Sequence, residues 1–148
     1  MQVETKAKGI ITVDEKQRLS FPEGLFGFEQ FTDYVLFESE YEPFLWLQST
    51  EKKALAFLVV DPFLICGDYE LDVDDKVLSR IDVSSPADVF VLAILTVPAE
   101  GNPVTMNLQG PIIVNKQNNK CLQVVISDPK WGTKHDLLAE MKKRGNLC

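Results

Sequence analysis

At 148 residues the chain has the length of one domain, and a chain of this size buries roughly 70% of its unfolded surface with no need of a metal or disulfide staple. Apolar residues at 45% and charged residues at 25% exclude wholesale disorder. A net charge of −7 argues against direct nucleic-acid binding, which draws its affinity from Lys and Arg on phosphates.

The charge is unevenly spread. Residues 61–100 hold nine acids against Lys76 and Arg80, whereas residues 101–148 hold seven bases against three acids. An acidic middle attracts a basic protein partner. The opening Met-Gln-Val-Glu-Thr-Lys lacks the basic-then-apolar pattern of a signal peptide. The longest apolar runs, 55–60 and 89–97, fall short of the ~20 residues that span a membrane. A cytoplasmic protein without membrane contact is expected. Cys66, Cys121 and Cys148 are odd in number and far apart, which reads as free thiols in a reducing compartment.

Residues 8–13 and 19–21 are the first strand candidates. Pro22-Glu23-Gly24 and Gly27 then interrupt the chain with turn chemistry. These glycines predict positive φ where Phe21, Leu25, Phe26 and Phe28 turn sharply and tuck inward. Residues 34–37 and 44–48 are rich in aromatic and branched side chains, as strands are. Residues 55–60 and 89–97 are apolar on both faces and predict central strands covered on two sides. Residues 105–109 alternate, with Met106 and Leu108 inward. Residues 112–114 and 121–126 flank a polar loop at 115–119 of hairpin length. That makes nine strands.

Helical signals are few. Asp74 or Asp72 can cap a short helix carrying Val77, Leu78 and Ile81 on one face. Ser85-Pro86-Ala87-Asp88 suits a single capped turn. Leu137, Leu138 and Met141 form a stripe followed by Lys142, Lys143 and Arg144, with Gly145 as the stop. The fold class is therefore mostly β: a small, strongly curved antiparallel sheet or β-barrel-like single domain with short helices.

Catalytic and metal motifs are absent from the sequence. His135 stands alone, with no GxSxG or HExxH to support it, and reads as a surface or capping residue. Asp68, Glu70, Asp72, Asp74 and Asp75 fail the calcium-loop pattern, because position six would be Val73 and position twelve Ser79. No metal and no cofactor are expected. Gly24 and Gly27 fit no phosphate-binding spacing. In an extended segment Asp68, Glu70 and Asp72 would share one face, with Tyr69, Leu71 and Val73 on the other.

Six groups of residues in order carry a resemblance. They are Phe21-Pro22-Glu23-Gly24-Leu25-Phe26-Gly27-Phe28-Glu29, Phe44-Leu45-Trp46-Leu47-Gln48-Ser49, Leu55-Ala56-Phe57-Leu58-Val59-Val60-Asp61-Pro62-Phe63 with Asp68-Tyr69-Glu70, Leu92-Ala93-Ile94-Leu95-Thr96-Val97-Pro98, Asn107-Leu108-Gln109-Gly110-Pro111-Ile112-Ile113-Val114-Asn115 and Gln123-Val124-Val125. Their order and spacing resemble the bacterial flagellar assembly factor FliW family from about residue 2 to 135. The chain departs from the family pattern at Cys66-Gly67, and the stretch from Asp136 to Cys148 lies outside the match. This divides the chain into a β-barrel-like domain at 1–135 and a short basic C-terminal helix or tail at 136–148.

The resemblance implies a non-enzymatic cytoplasmic protein with two partners. One is newly made flagellin, held near its C-terminal helical region. The other is the carbon-storage regulator CsrA, an RNA-binding repressor of flagellin translation. Export of flagellin would free the protein to capture the regulator. Asp68, Glu70 and Asp72 are the expected contacts to the basic regulator, with Tyr69 and Leu71 as apolar anchors if their strand is an edge. Asn107 and Gln109 are candidates for contacting a partner's backbone. The Phe/Leu-rich segment 21–28 is a candidate groove for a helical export substrate. Two other classes remain open: a flagellin-only chaperone, and a small-ligand-binding barrel or an enzyme using Asp61 and Asp68.

Overall fold

The computed structural model describes residues 1–144, so Gly145 and Cys148 lie outside the described residues. Eleven strands form in chain order: β1 (Gln2–Thr5), β2 (Gly9–Thr12), β3 (Arg18–Ser20), β4 (Asp33–Glu38), β5 (Leu45–Ser49), β6 (Ala56–Val60), β7 (Val89–Thr96), β8 (Thr105–Met106), β9 (Ile112–Asn115), β10 (Cys121–Gln123) and β11 (His135–Asp136). Three helices interleave with them: α1 (Pro62–Ile65), α2 (Asp75–Ser79) and α3 (Leu137–Arg144).

All nine expected strands form, together with the short β1 and β11. β1 and β2 make a separate hairpin. The main sheet is antiparallel in the order β10-β9-β7-β6-β5-β4-β3. β7 divides its far edge, pairing β9 through residues 89–92 and β8 through Leu95 and Thr96. β11 then extends the β8 side.

Side chains alternate with period two across this sheet, and the alternation sorts the core. Leu19, Tyr34, Leu47, Val59, Leu92, Ile112 and Cys121 point to one face, where Phe21 and Leu25 join them. Val60, Val91, Ala93, Leu95, Ile113 and Leu122 point to the other, beneath the helices. Val35 and Phe37 pack with Val3 and Val13 of the β1–β2 hairpin. β6 and β7 are therefore covered on both faces, which is why their sequences are apolar throughout.

The sheet curls until its two end strands approach. A single parallel bridge joins Ser20 to Lys120, and the Ser20 amide donates to the Asn119 carbonyl at 3.0 Å. Asn119 takes a φ of +58°, and its side-chain amide donates to the Lys16 and Arg18 carbonyls. The sheet is thus strongly curved but not closed by a continuous ladder. Below this contact the outer edge of β10 has no partner strand among the described residues.

The helix signals resolve residue by residue. Asp74 caps α2, accepting from the Lys76 amide at 2.9 Å. Ser85 caps a single turn at Pro86–Asp88. On α3, Leu137 is buried while Leu138 is exposed, so the inward stripe differs from the expected one; Glu140 is buried in its place. β11 straddles the 135/136 border, pairing His135 with Met106 and Asp136 with Thr105. No helix among the described residues is long and apolar enough to cross a membrane.

Candidate functional site

The acidic segment leaves α1, whose N-cap Asp61 accepts from the Phe63 amide at 2.9 Å. Asp68 lies in a turn and residues 69–74 form neither helix nor strand and pair with no strand among the described residues, so the segment is not the edge strand on which Tyr69 and Leu71 would anchor a partner. Alternation survives without the strand. Asp68, Glu70 and Asp72 are exposed, Tyr69 is buried, and Leu71 and Val73 are half-buried against the helix-covered core.

Tyr69 is the nail that fixes this segment. Its hydroxyl donates to the Leu108 carbonyl at 2.7 Å, and its ring meets Trp131 edge-on at 4.9 Å. Burial raises its phenol well above the ordinary range. Tyr69 therefore acts from below, by holding the acids outward.

The three acids are not equivalent. Asp68 accepts from the Cys66 thiol at 3.1 Å and pairs with Lys130 at 3.0 Å. Lys130 also lies 4.8 Å over the Trp131 ring. Glu70 and Asp72 form no ion pair among the described residues, although Glu70 acts on Lys130 through its charge. The thiol's hydrogen bond and then Lys130 hold the Asp68 carboxyl at about 2, below its ordinary 3.8. A carboxylate depressed in the folded state stabilises above the unfolded pKa, and that contribution is lost as pH falls through the folded value. Asp68→Asn is expected to lower the melting temperature at pH 7. The difference from the parent should disappear as pH falls from about 4 to about 2, followed by circular dichroism.

Asn107 and Gln109 sit in the turn that Tyr69 grips. The Asn107 Oδ1 accepts from the amides of Gln109 and Gly110 at 3.1 and 2.9 Å. The Gln109 amide donates to the Gly132 carbonyl, and its carbonyl accepts from Ile126. Asn107 thus spends its carbonyl oxygen on its own loop. The Tyr69–Leu108 hydrogen bond joins this turn to the acidic segment, so the two groups of candidate residues belong to one assembly.

Cys66, Asp68 and Glu140 place ligand atoms within 4.8 Å of one another. Burial and the neighbouring carboxylates push the Cys66 thiol up to about 12, which makes it a neutral donor near pH 7, the reverse of an activated nucleophile. The His135 Nε2 accepts from the Gly132 amide at 2.7 Å, and its Nδ1 faces Glu140 at 3.5 Å. Asp61 is a helix cap and Asp68 has a lowered pKa, whereas a carboxylic general acid needs a raised one.

The Phe21–Phe28 segment divides. Gly24 and Gly27 have φ of +69° and +86°, as expected. Phe21 and Leu25 are buried in the inner core, but Phe26 is 53% and Phe28 37% exposed. The turn has room inside for only two of the four, and the Phe26 amide is instead held by Gln123 Oε1 at 2.9 Å. Sequence reasoning missed Gln123, Lys130 and Trp131, whose roles depend on partners far away in the chain.

The geometry can be set against known proteins. The FliW protein family model matches residues 2–137, from β1 through β11. The chain belongs to the FliW family. It is 48% identical to the flagellar assembly factor FliW of Treponema denticola, over 98% of this chain and 99% of the relative. To the protein of the same name from Treponema pallidum it is 47% identical, over 97% and 96%. A crystal structure of the flagellar assembly factor FliW superposes with a TM-score of 0.84 at 36% identity, covering 93% of this chain and 96% of the other. FliW membership thus rests on the whole fold, the acidic segment included.

Proposed function

We propose that the chain is a non-enzymatic cytoplasmic binding protein that holds flagellin before export and, when freed, captures the translational regulator CsrA. Membership of a flagellar assembly factor family supports this reading. The observation that carries the regulator site is the pair of exposed carboxylates Glu70 and Asp72, without an ion pair among the described residues and beside the buried Tyr69. An RNA-binding regulator presents Lys and Arg for phosphate, and such a surface complements these acids. Asp68 contributes less to recognition than its neighbours because Lys130 already neutralises it. Leu71, half-buried between Glu70 and Asp72, adds apolar area beside them, and Asn107 and Gln109 flank Leu108, whose carbonyl accepts from the Tyr69 hydroxyl.

A small-ligand barrel fits less well, because the inner face is filled by Phe21, Leu25, Tyr34 and Leu47. Co-elution of the purified chain with purified flagellin and, separately, with purified regulator tests the proposal. Both complexes are expected. Binding neither partner refutes it, and binding flagellin alone favours a chaperone with no hand in translation.

A further inference from the structure

Among the described residues the outer edge of β10 pairs with no strand below Lys120, although Cys121–Gln123 are themselves buried. Residues 121–126, Cys-Leu-Gln-Val-Val-Ile, carry no charge or proline, the two common devices for blunting an edge. The β9–β10 register fixes which groups are free. Leu122 pairs with Ile113, and the amides of Val124 and Ile126 donate to Pro111 and Gln109. In an antiparallel ladder the intervening residues turn their amide and carbonyl away, so those of Gln123 and Val125 point away from β9, toward the groove that both residues line. The Val125 side chain is itself 66% exposed.

This edge forms one wall of a groove of about 550 Å³. The segment bearing Phe26 and the segment leading into α2 face each other across it, tied by Arg80 Nε donating to Glu23 Oε2 at 2.9 Å. Phe26, Val73 and Val77 supply apolar lining. Glu23, Glu29, Asp72 and Asp74 set four carboxylates against Arg80 alone.

We propose that this groove takes an extended peptide of alternating apolar and basic residues, added as a strand to the edge of β10. Backbone groups of Gln123 and Val125 pair with the peptide, apolar side chains pack on Phe26 and Val125, and basic ones meet the carboxylates. The site depends on neither flagellin nor the regulator being a partner.

The test uses a labelled peptide of about ten residues alternating Val and Lys, its fully N-methylated form, and a Val/Glu counterpart. Fluorescence anisotropy should show saturable binding of the first, with the other two at least about tenfold weaker. Amide exchange at Gln123 and Val125 should slow on binding. Val125→Pro, which deletes the outward amide and none of the bonds to β9, should weaken binding by a similar factor with the melting transition retained. If that variant does not fold, the N-methylated peptide and the exchange data still decide. The proposal is overturned by absent binding, by equal binding of the N-methylated peptide, or by unchanged exchange at the two amides. It is equally overturned if the chain dimerises through this edge, which would make a second copy the occupant.

Discussion

Replacing Gly24 by alanine is expected to lower the melting temperature by about 10 °C. Gly24 sits at φ +69°, where an L side chain costs ~1–2 kcal/mol. An added Cβ would also lie 2.5 Å from the Glu29 Cα and 2.7 Å from its carbonyl oxygen. Backbone cannot rotate aside as a side chain can, so overpacking adds ~1–3 kcal/mol. A total near ~3 kcal/mol converts at ~2–4 °C per kcal/mol for a chain of this length. Gly9 is the internal control. Its φ is +66°, but nothing lies within 4 Å of an added Cβ, so Gly9→Ala should cost only ~1 kcal/mol. Equal losses in thermal melts would mean that the close approach at Glu29 does not matter.

The double reversal Glu70→Lys/Asp72→Lys is expected to weaken regulator binding at least about tenfold at low salt, or ~1.4 kcal/mol. Both carboxylates are exposed and neither forms an ion pair among the described residues, so removing them gives up only the weak charge interaction of Glu70 with Lys130. The melting temperature should therefore stay within about 2 °C of the parent, in line with other surface substitutions. The effect should fall as salt rises, because exposed charges beyond a Debye length of ~8–10 Å are screened. Asp68 is the wrong residue for this test, since its reversal would also break the Lys130 pair and the Cys66 hydrogen bond. Titration calorimetry at two salt concentrations reads both parts. Unaltered affinity at low salt would remove the acidic segment from the interface.

Much of the fold was legible because period-two patterning is a local signal. β6 and β7 betrayed their central place through apolar residues on both faces, and Met106 and Leu108 through strict alternation. β1 and β11 were illegible for the same reason. β1 carries a single apolar residue, Val3, and β11 is the polar pair His135-Asp136, held only by its partner β8. α1 did leave a trace, since Asp61 before Pro62 is a cap followed by proline at the first helical position.

The candidate site was legible in its alternation and opaque in its anchoring. Asp68, Glu70 and Asp72 face outward although no strand forms there, because Tyr69 is drawn inward by a carbonyl 39 residues away. The neutralising Lys130 is equally remote in sequence. The turn at Gly24 and Gly27 predicts Phe26 and Phe28 inside with Phe21 and Leu25. The inner face had already been filled by Phe21 and Leu25, a limit of volume that no local pattern records.

The central claim is an exchange of partners, and displacement tests it most directly. Purified flagellin is titrated into a preformed complex of this chain with fluorescently labelled regulator, and release is followed by anisotropy. The account predicts that regulator is released progressively as the chain–flagellin complex forms. Regulator that stays bound at saturating flagellin would contradict it.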